Sequence, residues 1–158
     1  MVANKIKEQN YESAGVWAKN YFLACRAMME SVLRPYDLGN TQWYVLCQLV
    51  NEELINQRDL KLKLKIERAT LSGVIAALVR KGLIDQLPDP TDQRQKILQI
   101  TDAGKSLWAS LPDPIALIAT VAFEGADETE VAITNRVLMD ATQRLNNYKK
   151  GEDKLWKS

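Results

Sequence analysis

"RATLSGVIAALVRKGLIDQLPDPTDQRQKILQIT", residues 68–101, is the stretch whose reading decides the fold. Its first half places Leu71, Val74, Ile75, Leu78 and Val79 at i, i+3, i+4, i+7 and i+8, the spacing of an amphipathic helix. Gly82 then stops the helix, because glycine tolerates the left-handed backbone that commonly ends one. The second half holds two five-residue runs, "LIDQL" (83–87) and "KILQI" (96–100), joined by the loop "PDPTDQRQ". Two short runs flanking a Pro- and Asp-rich loop predict a β-hairpin. Arg94 stands at its tip, with Asp92 two residues earlier.

Working back from Arg68, the break Lys65-Ile66-Glu67 separates this helix from a shorter one, "QRDLKLKL" (57–64). Asn56 is placed to cap that shorter helix, and Asp59 complements its dipole. Two short helices across a tight break predict a helix-turn-helix, and the hairpin after the second makes it winged. Before it, "TQWYVLCQLV" (41–50) reads as a helix capped by Asn40. From Tyr11 to Tyr36 apolar residues recur in steps of three and four, which predicts a long amphipathic helix ended by Pro35 and "DLGN" (37–40).

Forward from the hairpin, Thr101 is placed to cap a helix from Asp102, which Pro112 and Pro114 must break near Leu111. "IALIATVAF" (115–123) resumes the apolar pattern, and Asp127 with Glu130 forms a capping box for a last helix to about Tyr148. The charged end, "KKGEDKLWKS" (149–158), is expected to fray. The expected architecture is mainly α with a small β-hairpin wing, a winged helix-turn-helix plus a helical dimerisation region. The divisions are an N-terminal helix at 1–36, a winged helix-turn-helix at 37–101, C-terminal helices at 102–150 and a flexible tail at 151–158.

The chain has 158 residues, 46% hydrophobic and 26% charged, an ordinary composition for one soluble domain. No run approaches the ~18 apolar residues a membrane span needs. "MVANKIKEQN" (1–10) lacks the apolar centre of a signal peptide, so the expected location is the cytoplasm. There is no His, and Cys25 and Cys47 lie far apart in sequence, so no metal and no cofactor is expected. Neither a Gly-rich phosphate loop nor a G-x-S-x-G elbow is present, and no enzyme activity is expected. Both cysteines sit in apolar helical patterns and are read as buried thiols. A redox sensor would need an exposed thiol of lowered pKa.

Charge points elsewhere. The whole chain carries 21 Lys and Arg against 20 Asp and Glu, but residues 58–105 carry 10 against 6 and the remainder 11 against 14. Positive charge gathered in the middle third suits a domain that touches phosphates. The face of the 68–81 helix opposite its apolar stripe is Ala69, Gly73, Ala76 and Arg80, with Ser72 on the flank. So slim a face can approach another surface closely, and the major groove of double-stranded DNA admits a helix presented in this way. Arg68 and Thr70 open the helix where base edges are nearest. Arg94 can reach into the minor groove, with Asp92 expected to orient it by a charge-assisted pair. Lys65 and Lys96 complete the candidate DNA-binding set, with wing residues 88–96 flanking the helix.

"DQRQKILQIT" (92–101) matches the wing signature D-x-R-x5-[LI]-T, and here the chain resembles the MarR family of bacterial transcriptional regulators. "NQRDLKLKLKIERATLSGVIAALVRKGLI" (56–84) resembles that family's helix-turn-helix, and "TQWYVLCQL" (41–49) its second helix. The resemblance runs from about Tyr21 to Leu145. It implies a homodimer formed through terminal helices, binding a pseudo-palindromic operator with recognition helices in major grooves and wings in minor grooves. It implies a repressor relieved by a small aromatic effector. It implies roles for Arg94 in the minor groove, for Asp92 as its orienting partner, and for Arg68, Thr70 and Ser72 in the major groove. Trp17, Tyr21, Met28, Tyr36 and Trp43 are the candidate lining of an effector cavity.

Three features depart from the family pattern. Lys61 stands where Ala is frequent, and Lys65 where the tight turn frequently has Gly, which costs stability if φ is positive. The peroxide-sensing branch carries its reactive Cys at a place that falls near Trp17, so the resemblance gives Cys25 no such role. The last two helices are apolar on more than one face, through Ile115, Leu117, Ile118, Val121 and Phe123 and then Val131, Ile133, Val137, Leu138 and Leu145. A two-fold contact would bury the excess. The alternatives to a DNA-binding regulator are a winged-helix protein-interaction module and a thiol-based redox sensor using Cys25 or Cys47.

Overall fold

Ser13 opens the first helix, its Oγ accepting from the Val16 amide at 3.4 Å. In this computed structural model, which describes residues 13–92 and 94–151, that helix is α1 (Ala14–Leu33). The expected start at Tyr11 and the frayed tail past residue 151 lie outside the described residues. Pro35 tightens the end of α1 into a 3-10 turn, Arg34–Tyr36, and Asp37 follows in left-handed backbone at φ 51°.

α2 (Asn40–Asn51) corrects one expectation. Its cap is Gly39, not Asn40, and the Gly39 amide donates to Gln42 Oε1 at 3.1 Å. Asn40 instead sends its side-chain amide to the Arg26 carbonyl at 3.0 Å, tying α2 to α1. A strand that was not expected, β1 (Ile55–Asn56), precedes α3 (Gln57–Leu64). Asn56 caps α3 as expected, accepting from the Asp59 amide at 2.8 Å, and its own amide returns a bond to the Asp59 carboxylate.

Lys65 ends α3 in left-handed backbone at φ 53°, so the departure from Gly noted above does fall on a position of positive φ. α4 (Arg68–Arg80) follows and Gly82 closes it at φ 70°. β2 (Ile84–Pro88) and β3 (Lys96–Ile100) form the hairpin, pairing antiparallel from Ile84 with Ile100 out to Pro88 with Lys96. β1 pairs on the other edge of β3, Ile55 with Leu98, giving a sheet of order β1-β3-β2.

Thr101 then caps α5 (Asp102–Ser110) and locks it to the turn after α4. Its hydroxyl donates to the Gly82 carbonyl at 2.7 Å and accepts from the Gly104 amide at 3.0 Å. Gly104 is required here, because a Cβ would stand 2.2 Å from the Leu83 carbonyl oxygen. Pro112 and Pro114 break the chain before α6 (Pro114–Ala122), and the expected capping box of Asp127 and Glu130 opens α7 (Glu128–Gly151) through bonds of 2.8 and 3.0 Å.

The chain divides into two compact units, one ending at Ile115 and one beginning at Ala116. The first has a dry core in which Leu33, Leu46, Leu60, Leu71, Leu78 and Leu98 are fully buried, and among the described residues no polar or charged side chain joins it. Lys81, just past α4, braces this unit by reaching the Asp37 carboxylate at 3.2 Å, the Asp37 carbonyl and Gln42 Oε1. In the second unit α7 leaves Ile133, Val137, Leu138, Met139 and Leu145 exposed.

Candidate nucleic-acid interface

The apolar stripe of α4 faces the core through Leu71, Ile75 and Leu78. That turns Arg68, Ala69, Thr70, Ser72, Gly73, Ala76 and Arg80 outward, all exposed. With no side chain longer than Ser or Thr between Arg68 and Arg80 on this face, α4 presents a narrow ridge.

Beside the ridge lies a concave groove of about 750 Å³, walled by α3, α4 and the wing. Among the described residues it is lined by five cationic side chains, Arg58, Lys61, Arg68, Arg94 and Lys96, and one carboxylate, Asp92. The groove thus gathers Arg68, Ser72, Asp92, Arg94 and Lys96 from the expected set. Lys65, Ala69, Thr70 and Gly73 are exposed but lie outside its lining. Lys61, a departure from the family pattern that could add a phosphate contact, joins it, as do Arg58, Gln57, Gln86 and Gln95, which were not singled out. A helix that carries Gln57, Arg58 and Lys61 at i, i+1 and i+4 has one polar edge, which is the signal that could have found three of them.

Asp92 does something other than expected. Its carboxylate does not pair with the Arg94 guanidinium. It accepts from the Arg94 backbone amide at 3.0 Å and from the Gln95 side-chain amide at 3.0 Å. Among the described residues the guanidinium has no carboxylate partner and stands exposed. Asp92 shapes the loop that carries Arg94, and a short Asp favours this because its carboxylate reaches backbone amides two or three residues ahead.

Asp89 performs the same task at the start of the loop. It accepts from the Thr91 amide at 2.8 Å, the Thr91 hydroxyl at 2.6 Å and the Asp92 amide at 3.3 Å. The Thr91 hydroxyl and amide hold its carboxyl below the usual carboxylate range, so it stays charged and bonding further into acid than a free Asp. Among the described residues of the wing loop, Asp89 and Asp92 therefore each build a turn.

The five candidate effector-lining residues fall into different environments. Trp43 is core, 7% exposed, with its ring edge-on to Tyr44 and 5.3 Å from that of Trp108. Met28 and Tyr36 are half-buried, while Tyr21 is exposed and Trp17 is 64% exposed. The cysteines were expected to be buried; both are free and half-buried. Burial, with a smaller push from Asp113, raises the Cys47 thiol above its ordinary value, the opposite of what a reactive thiolate needs. Among the described residues no cluster of His, Cys, Asp and Glu can hold a metal, and no helix is long and apolar enough to cross a membrane.

Known proteins resemble this chain in sequence over its middle and in fold over most of its length. Residues 38–96 match the family described as the MarR family. Over 80 residues the chain is 30% identical to the multiple antibiotic resistance protein MarR of Salmonella typhimurium, a match that spans 51% of this chain and 56% of that relative. Among solved structures, a mutant MarR from E. coli complexed with operator DNA superposes with a TM-score of 0.75 at 21% identity, covering 84% of this chain and 96% of that one. Bordetella bronchiseptica BpsR, a structure concerned with regulation of DNA binding by 6-hydroxynicotinic acid, gives 0.76 at 22% identity, covering 84% and 95%. The mainly helical fold with its small antiparallel sheet is that of these winged-helix proteins.

Proposed function

We propose that this chain, whose residues 38–96 match the MarR family, does the work of a sequence-specific DNA-binding transcriptional regulator, acting in the cytoplasm as a homodimer. The observation that carries this is the groove: five cations and one carboxylate beside a helix face of Ala, Ser, Thr and Gly. Phosphates flanking a groove in DNA require cations at the rim, and base edges require a helix slim enough to enter. On this reading α4 lies in the major groove and the wing, residues 88–96, lies against the minor groove, with Arg94 inserted. Arg68, Ala69, Thr70, Ser72 and Gly73 face base edges or phosphates, and Lys65 and Lys96 meet phosphates at the edges.

Dimerisation is supported by the apolar side chains left exposed on α7 and, separately, by Trp17, Phe22 and Leu23 on α1. Large apolar side chains left exposed in such number are what a partner surface would cover. An isologous pair presents two recognition helices about one DNA turn apart, hence a pseudo-palindromic operator. By analogy with BpsR, the proposed regulation is repression relieved by a small aromatic effector.

Selection from a pool of randomised duplexes tests the reading. The expected result is enrichment of a two-fold symmetric sequence bound by two chains per duplex. A pool with no enrichment overturns it. For the effector, aromatic acids that bind the folded chain should raise its melting temperature, and no shift with any of them removes that part.

A further inference from the structure

Gln57, Ser72 and Gln86 come from α3, α4 and β2, yet they form one hydrogen-bonded line across the floor of the groove. Gln86 Nε2 donates to Gln57 Oε1 at 3.2 Å, and Gln57 Nε2 donates to Ser72 Oγ at 3.2 Å. The donors all point one way, from the wing strand toward the recognition helix. Ser72 Oγ therefore accepts from inside the protein, and its own proton must go elsewhere.

A serine within a helix usually returns its proton to a carbonyl one turn back. Thr120 and Thr142 do this here, donating to the Ala116 and Leu138 carbonyls at 2.9 and 2.8 Å. Ser72 does not: among the described residues its hydroxyl donates to no protein acceptor. It is exposed, one turn from the start of α4, and flanked by Gly73 and Ala76, whose side chains cannot block an approaching base.

We propose that Gln57 is a positioning residue for sequence recognition: anchored by Gln86, it occupies one lone pair of Ser72 Oγ and leaves the Ser72 proton for an acceptor on a base edge in the major groove. The acceptor class is a purine N7, a guanine O6 or a thymine O4; the amino group of adenine or cytosine can use only the second lone pair of Ser72 Oγ and leaves its proton unpaired. The same line ties the wing strand to the recognition helix, so the two DNA-contacting elements share one register. This rests on the DNA-binding reading above.

The test measures binding of the selected duplex and of each of its single-base-pair variants at one salt concentration. Ser72→Ala is expected to flatten discrimination at one position per half-site by roughly 5- to 10-fold, the value of one net hydrogen bond. Gln57→Leu is expected to flatten that same position by a similar factor, and the double variant to add nothing further. Gln57→Glu keeps the side-chain size and both contacts but accepts the Ser72 proton, turning the hydroxyl inward. It should flatten the same position, judged as a ratio between duplexes so that its added charge cancels. Full wild-type discrimination at that position in Gln57→Leu, or an even loss of affinity across every duplex, overturns the relay while leaving the regulator reading standing. Failure of the wild-type chain to select any duplex overturns both.

Discussion

In α4, Leu71, Ile75 and Leu78 disappear into a core, whereas in α7 Ile133, Val137, Leu138 and Leu145 stay open to solvent, Leu145 at 70%. Both helices repeat apolar residues every three or four positions. The difference is one of partners. α4 finds α2, β2 and the sheet within its own unit, so its stripe is satisfied by the chain that encodes it. α7 belongs to a smaller unit with one short helix beside it in sequence, and its apolar side chains, set on more than one face, are left exposed. An amphipathic pattern tells which face wants burial; it does not say whether the cover lies in the same chain.

That contrast can be broken at several points. Leu78→Ala removes a fully buried side chain and should cost about 2–5 kcal/mol in urea unfolding. A cost below about 1 kcal/mol would mean that α4 does not anchor the core. Val137→Glu places a charge among the exposed apolar side chains of α7 and, on the dimer proposed above, should weaken self-association by roughly 2–4 kcal/mol in sedimentation equilibrium, with the winged unit still folded. Unchanged association would place the dimer contact elsewhere. Arg94→Ala should cost about 1–3 kcal/mol of DNA affinity without lowering the melting temperature. A matched loss of stability would instead make Arg94 a structural residue. Lys65→Gly relieves a side chain held at φ 53° and should raise stability by about 0.5–1 kcal/mol. If Lys65 meets a phosphate, the same change lowers DNA affinity, so the two readouts move in opposite directions.

Much of the winged unit is legible from sequence because its signals are local. The stripe of α4, the stop at Gly82, the caps at Asn56 and Thr101 and the hairpin around "PDPTDQRQ" each lie within a short window. What is not legible is either too short or too distant. β1 is two residues, too few to show alternation, and pairs with a strand some forty positions on. Asn40 and Gly39 both suit a helix cap, and the contact of Asn40 with Arg26 on another helix decides between them. The spacing of Asp92 and Arg94 shows that they are neighbours but not that the carboxylate takes the backbone amide in preference to the guanidinium. The line from Gln86 through Gln57 to Ser72 joins three elements by single polar contacts, which leave no period in a sequence.

The most direct test of the account is the affinity for the selected duplex measured as salt is raised. Neutralised phosphates release counterions, so the logarithm of affinity should fall linearly with the logarithm of salt concentration. For the six to ten phosphate contacts a dimeric pair of such grooves can make, about a 10³-fold or greater loss between 50 and 200 mM is expected. Binding that is flat across that range would contradict the assignment of this cationic groove to DNA.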